Sequence, residues 1–386
     1  MSTPNTLTGL IPDVYAALAI VSRELVGLIP ACTSDAALAR AAVNENITWP
    51  IAPAASASDI TPAVTPPDDG NQTIGKASIA ITKSRRVPFR WNGEEIRGLS
   101  FGSGVLTIQQ QQIAQAIRTL TNEIESDLAG MHKNFSRATG TAGTTPFAST
   151  LNSTADLKKM LDDNGAPASD RHLIIDTSAG ANLRKLSNLY KVNEAGTQDV
   201  LTQGKLINLN NFDIRESAQV KQAVTVGTAS GATTNNAGYA VGTTTLTLAA
   251  VGTGTLIAGD VITFAGDTNQ YVVTSGDADV SNGGTITIGA PGLRVAMSAA
   301  TKAITVVAAA ARNMAFHRSS LLLAQRLPLL PDGGDMARDR TTIQDPVSGL
   351  VFEIAQYPQY RQMQWEISCA WGVGTANEQH TALLLG

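Results

Sequence analysis

The stretch "GDVITFAGDTNQYVV", residues 259–273, reads as strand, tight turn, strand. It lies inside residues 222–304, where only six side chains are charged: Asp260, Asp267, Asp277, Asp279, Arg294 and Lys302. Thr, Gly, Val and Ala dominate this block. The segments "TTLTLAA", "DVITFAG", "QYVVTS", "GTITI" and "LRVAMS" are candidate strands. Gly-rich turns separate them at roughly 8–12 residue spacing, the mark of a small barrel or sandwich, and no helical periodicity interrupts them.

The flanks read differently. Upstream, "STADLKKMLDDNG" predicts a helix started by Ser153 or Thr154 and stopped by Gly165. "RHLIIDT" predicts a buried strand, and "SAGANLRKLSNLY" a second helix with Ser178 as its N-cap. "GKLINLNNFDIRES" returns to strands. Downstream, "AARNMAFHRSSLLLAQRLPLL" resumes a mixed pattern and "SGLVFEIAQYPQYRQMQWEISCAWGVGT" closes with strands. The β block therefore interrupts an α/β layer that needs both flanks to be complete.

Further upstream, Ile113, Ile117, Leu120, Ile124, Leu128 and Met131 recur at spacings of three and four. That is one apolar stripe on a helix of about 25 residues, about 38 Å long. Gln109 to Gln112, Arg118, Asn122 and Glu125 fall on its other faces. Residues 8–30 carry a shorter helical pattern ended by Pro30. A long polar stretch follows, then "ITWPIAP", an extended segment. Residues 51–75 hold four prolines and the turn signal "PPDDG", which predicts a long extended loop. "SIAIT" and "VPFRW" after it predict a projecting hairpin arm, unusual within a compact domain and sensible if it lies on another molecule.

Length favours two or three domains: the chain has 386 residues. Charged residues make up 16%, against about a quarter in ordinary soluble domains. So weakly charged a surface fits burial against further copies of the chain. The net charge of −4 does not advertise nucleic-acid binding. Cys32 and Cys369 cannot form a disulfide framework and are expected as buried thiols. No apolar run has transmembrane length, and the first residues lack a signal-peptide pattern.

No catalytic, cofactor or metal site is expected. His132, His172, His317 and His380 form no ligand motif. "GSGVLTIQ" lacks a lysine and reads as a hinge before the long helix, not a phosphate loop. Asp162 and Asp163 are adjacent on a helix and point apart, so they make a poor acid/base pair. Lys83, Arg85, Arg86 and Arg90 cluster with Phe89 and Trp91. Three readings stand: a single-stranded nucleic-acid platform, a solvated strand face, or an arm that pairs with acidic residues of a neighbouring copy.

The order of these pieces resembles a known family. "LTGLIPDVYAALAIVSRELVGLIP", "ASIAITKSRRVPFRWNGEE", "QQIAQAIRTLTNEIESDLAG", "ADLKKMLDDNGAPASDRHLIIDTSAGANLRK", "LIAGDVITFAG", "NMAFHRSSLLLAQRLPLL" and "SGLVFEIAQY" follow the course of tailed-bacteriophage major capsid (coat) proteins of the podovirus type with an inserted β-barrel. The resemblance implies an α+β Hong Kong-type capsid fold. Its parts would be an amino-terminal arm and first strand over 1–50, an extended loop or β-hairpin arm over 51–98, and a spine helix with peripheral domain over 99–150. An axial domain would cover 151–221, the inserted barrel 222–304, and the completion of axial and peripheral domains 305–386. It also implies pentamers and hexamers of an icosahedral shell around double-stranded DNA, assembled in the host bacterial cytoplasm into a virion. The implied partners are further copies of itself, a scaffolding protein, a portal and a decoration protein, with DNA touched non-specifically and no membrane. Lys83, Arg85, Arg86, Arg90 and Trp91 become candidate inter-subunit contacts. Some capsids of this fold join Lys to Asn covalently; Lys76 or Lys83 and Asn377 are the residues in reach of that idea, though no motif carries it over. A bacterial nanocompartment shell of the same fold, and a β-rich surface adhesin or carbohydrate-binding protein, are the alternatives.

Overall fold

A computed structural model describes residues 25–51, 53, 55, 57–65, 70–100, 105–191, 206, 208–220, 224–346 and 348–386. Most of the helix expected over 8–30 lies outside these residues. Its described end, Ile29–Ala31, is a single 3-10 turn. In chain order the strands begin with β1 (Thr33–Ala41), β2 (Asn46–Ile51), β3 (Gly75–Ala80) and β4 (Lys83–Asn92). Helices Gly93–Ser100 and Val105–Ala129 follow, then β5 (Arg137–Thr139) and helix Asn152–Asp163. Next come β6 (Arg171–Ile175), helix Thr177–Lys185 and β7 (Phe212–Glu216). The β-rich block holds β8 (Thr245–Leu248), β9 (Val261–Phe264), β10 (Gln270–Ser275), β11 (Gly284–Ile288) and β12 (Ile304–Val306). The carboxy-terminal run is β13 (Arg312–His317), β14 (Leu321–Pro328), β15 (Asp339–Gln344), β16 (Val351–Gln359), β17 (Gln362–Thr375) and β18 (Thr381–Leu385). The class is α+β, as expected.

The long helix spans 25 residues. Ile113, Ile117, Leu120, Ile124 and Leu128 are buried in one core with Trp365, Ile367 and Trp371 of β17. Full burial of each such side chain stabilises by roughly 2 kcal/mol, so this stripe fixes the helix on the sheet. That sheet has the order β1-β14-β17-β16-β15, with β4 also paired to β17. Glu125 departs from the expectation. It was placed on an outer face, yet it is 0% exposed. Its Oε1 accepts from the backbone N–H of Gly27 and Leu28 and its Oε2 from that of Ile29, at 2.7–3.0 Å. Ser217 Oγ donates to it as well, at 2.7 Å. Burial pushes this carboxyl above the ordinary carboxylate range, and the four donated hydrogen bonds oppose that push.

A second sheet follows the order β12-β9-β10-β5-β18-β13-β6-β7. Its β6–β7 half carries the helix-bearing layer. Leu157, Leu161, Leu173, Ile175, Leu183 and Phe212 form the core there. Gly165 follows the helix Asn152–Asp163 at φ +75°, the left-handed turn predicted for it. The start of that helix corrects the expectation. Neither Ser153 nor Thr154 caps it: Leu151 occupies the N-cap position, and the Thr154 hydroxyl donates to Leu151 O at 2.8 Å. Ser178 is likewise inside its helix. Asp176 is the cap, accepting from the N–H of Ser178 and Ala179, and a carboxylate there suits the positive end of the helix dipole.

The β-rich block closes on itself. β8 pairs with β11, β11 with β10, β10 with β9, and β9 with β12. Residues 232–235 complete the ring. They bond to β12 through Thr234 N to Lys302 O and Ile304 N to Ala232 O, and to β8 through Asn235 N to Thr247 O and Ala249 N to Thr233 O. Leu246, Ile262, Phe264, Tyr271, Val273, Ile286 and Leu293 fill the interior. Four of the five predicted strands are present. "LRVAMS" is not a strand; it makes one bridge, Tyr239 to Met297, while Ile304–Val306 supplies the missing staves. The barrel joins its host where β10 also pairs with β5. Gly289 makes the joint possible, since a Cβ there would sit 2.2 Å from Phe135 O.

Two further expectations change at the amino-terminal side. Within the stretch read only as polar, residues 33–41 form β1, parallel to β14. "SIAIT" and "VPFRW" do not form a hairpin. β3 pairs with β2, in register from Asn46 opposite Ala80 to Ile51 opposite Gly75. β4 pairs with β17 over ten residues, from Gln362 opposite Asn92 to Trp371 opposite Lys83.

Candidate assembly interface

β4 alternates as a half-buried strand should. Val87 and Phe89 face the core, while Arg86 and Arg90 are exposed. The basic residues singled out from sequence are held chiefly by their own chain. Lys83 Nζ lies 3.1 Å from Glu123 and 2.8 Å from Asp127, both on the long helix. It also sits over the Trp371 ring at 5.8 Å, and Trp371 Nε1 donates to Asp127 at 2.8 Å. Arg85 Nε approaches Glu123 at 3.2 Å, and Arg86 pairs with Glu366 of β17 at 2.6 Å. Trp91 Nε1 donates to Gln112 at 2.8 Å. Phe89 stacks on Trp365, with ring centroids 6.4 Å apart and 7° between planes. Both aromatics are thus engaged within the chain. Arg90 is exposed, and among the described residues it has no ion-pair partner. Arg85 and Arg86 keep 57% of their side chains exposed.

The ribbon of β2 and β3 carries the loop 52–74. Every described residue of 57–65 and 70–74 is exposed. Ile60, Val64 and Ile74 are exposed at 98%, 105% and 71%. β-Branched apolar side chains held this far from their own core are a liability in water unless another surface covers them. The root of the ribbon is firm. Ile79 and Ile81 are buried with Leu322, Ala324 and Ala370, and a Cβ on Gly372 would meet Ala80 O at 2.0 Å. At another edge Met336 and Tyr360 are also exposed, at 81% and 88%.

Titratable groups elsewhere are engaged in structure. Asp162 pairs with Lys158 and with buried Arg171, and Asp163 with Lys159. Both carboxyls are held below the usual range, first by those lysines. Cys32 and Cys369 are free and buried, and burial pushes the Cys32 thiol up to about 12. The fold brings His317 and His380 together, with rings 6.4 Å apart, which their separation in sequence did not suggest. Among the described residues, no group of three or more His, Cys, Asp or Glu could hold a metal ion. No helix among them is long and apolar enough to cross a membrane.

No protein-family model matches the chain, and no curated protein matches it. Among solved structures it is similar to one from Mycobacterium phage Che8, at 11% identity over 94% of this chain and 92% of that one, with a TM-score of 0.47. It is similar to the capsid structure of cyanophage P-SCSP1u, at 12% identity over 95% and 89%, with a TM-score of 0.48. It is also similar to the virus-like particle from Pyrococcus furiosus, at 11% identity over 97% and 98%, with a TM-score of 0.41.

Proposed function

We propose that the protein is the major capsid subunit of a tailed phage. Copies of the chain form pentamers and hexamers of an icosahedral shell around double-stranded DNA. The observation that carries this reading is the ribbon β2–β3 with its loop. It is anchored in the sheet at one end and presents Ile60, Val64 and Ile74 at the other, where no described residue of its own chain covers them. A surface of this kind is stable when it lies on a neighbouring copy. The family resemblance of the sequence, segment by segment in order, points the same way. Heterologous contacts around rings, each weak, add up through multivalency to a stable shell.

In this reading the chain divides as amino-terminal arm, extended loop, spine helix with peripheral domain, axial domain, inserted barrel and carboxy-terminal completion. Arg85, Arg86 and Arg90 are the inter-subunit charges. Lys83 and Trp91 brace the strand that presents them. A scaffolding protein, a portal and a decoration protein are the further partners, and packaged DNA is contacted without reading its sequence. Assembly takes place in the host bacterial cytoplasm and the product is a virion.

The register supplies a clean test. Ile51 lies opposite Gly75, so residues 53–73 can be replaced by a short Gly-Ser turn without stretching the ribbon. The variant is expected to keep the circular dichroism and melting temperature of the parent subunit and to form no shells in sedimentation. Shells at the parent yield would contradict the reading.

A further inference from the structure

At the root of the barrel lies a cavity of about 320 Å3. It sits where the chain leaves the host layer and where it returns. Ser126 and His132 line it from the end of the long helix and the turn after it, Gln219 and Thr225 from the outgoing segment, and Arg312 from the first position of β13. The outgoing and returning segments are tied to each other, with Val224 N donating to Ala310 O at 3.4 Å.

Arg312 is the anomaly. It is 2% exposed, and among the described residues its Nε, Nη1 and Nη2 have no hydrogen-bond partner. A buried guanidinium is costly to hold without an acceptor. The carboxylate whose charge it feels is Asp260. That group is engaged elsewhere: its Oδ1 accepts from Gly227 N–H and its Oδ2 from Ile257 N–H, each at 2.8 Å. His132 offers no compensating negative charge, and its Nδ1 is directed at Ala129 O at 3.0 Å. The cavity has roughly ten times the volume share of one liquid water molecule. It is roomy enough for a tetrahedral oxyanion with part of its hydration.

We infer that this cavity is a binding site for a small oxyanion of the inorganic phosphate class, held by the planar fork of Arg312 and by the hydroxyl donors of Ser126 and Thr225. A guanidinium presents parallel N–H donors that match two oxygens of such an ion, and the charge-assisted pair is strongest where water is excluded. The bound ion links the long helix, the outgoing segment and β13, so it fastens the barrel to its host. This site is independent of the shell reading above.

The test uses the full chain and inorganic phosphate, with chloride at matched ionic strength as the reference. Thermal unfolding is followed for the parent, Arg312→Met and Gln219→Glu. For the parent we expect a saturable rise in melting temperature specific to phosphate. It should reach about 2 °C or more at tenfold over the half-saturating concentration. Arg312→Met is expected to lose the saturable rise. Gln219→Glu brings a carboxylate into the cavity and is expected to weaken phosphate at least tenfold. A parent that responds to phosphate as it does to chloride holds only water there, and the inference fails. The same saturable rise in Arg312→Met overturns it too. If Arg312→Met does not fold, Gln219→Glu decides, and an undiminished response in that variant overturns the inference.

Discussion

Removing the carboxylate of Glu125 would strand four donors at once: the N–H groups of Gly27, Leu28 and Ile29 and the hydroxyl of Ser217. Each buried donor left unpaired costs about 1–3 kcal/mol. Glu125→Ala should therefore destabilise by about 3 kcal/mol or more in urea unfolding, and a loss under about 1 kcal/mol would show that the donors find other partners. The stripe beside Glu125 was legible from spacing alone. Glu125 itself was not, because its partners lie 92 to 98 residues away along the chain and a helical pattern carries no record of them. The four histidines give a second residue-level expectation. Burial is the first cause that pushes His132, His172, His317 and His380 below the ordinary histidine value. The unfolded chain takes up protons as pH falls through about 6.5, while the folded chain takes them up only at lower pH. Stability should thus be fully present above that value and decline as pH drops from 7.5 to 5.5. Chemical unfolding at several pH values checks the sign, and stability rising on acidification over that range would contradict it.

Individual elements were legible where local pattern decides and illegible where pairing does. The strand character of "VPFRW" in β4 was visible because it is a local property. Its partner was not: Gln362 to Trp371 pair with it from the far end of the chain, and adjacency in sequence suggested a hairpin with β3 instead. β1 escaped notice because its sequence, TSDAALARA, has little β-branched character; the edge of β14 makes it a strand. The barrel strands were read well, since Gly-rich turns punctuate them. Their closure through residues 232–235 left no periodic trace. The joint between barrel and host rests on the close approach of Gly289 to Phe135 O. Gly289→Ala forces that carbonyl away and disturbs the bond from Gly289 N to Val272 O. We expect faster hydrogen exchange in β5 and in the first half of β10, with the barrel interior protected as before. Unchanged exchange at both strands would show that the joint relaxes without loss.

For the whole molecule, the weak charge of the chain and the exposed apolar loop are two sides of one property. A subunit that ends among copies of itself needs little hydration of the surfaces it will bury. The sequence suggested this through composition and through the order of its segments. It did not show that Lys83, Arg85 and Arg86 have acidic partners within the chain. Only tertiary placement of the long helix and β17 reveals these. Arg90, exposed beside them, should be the more sensitive position for assembly. Arg90→Glu is expected to slow shell formation, followed by light scattering, while the subunit melts within about 1 °C of the parent, as surface substitutions do. Assembly at the parent rate would remove Arg90 from the interface. The most direct measurement is electron microscopy of the protein expressed alone and together with the genes beside it. We expect closed shells of regular size, with density for one small domain, the barrel, protruding from each subunit. Monomers alone under both conditions would contradict the proposal that this chain builds a capsid.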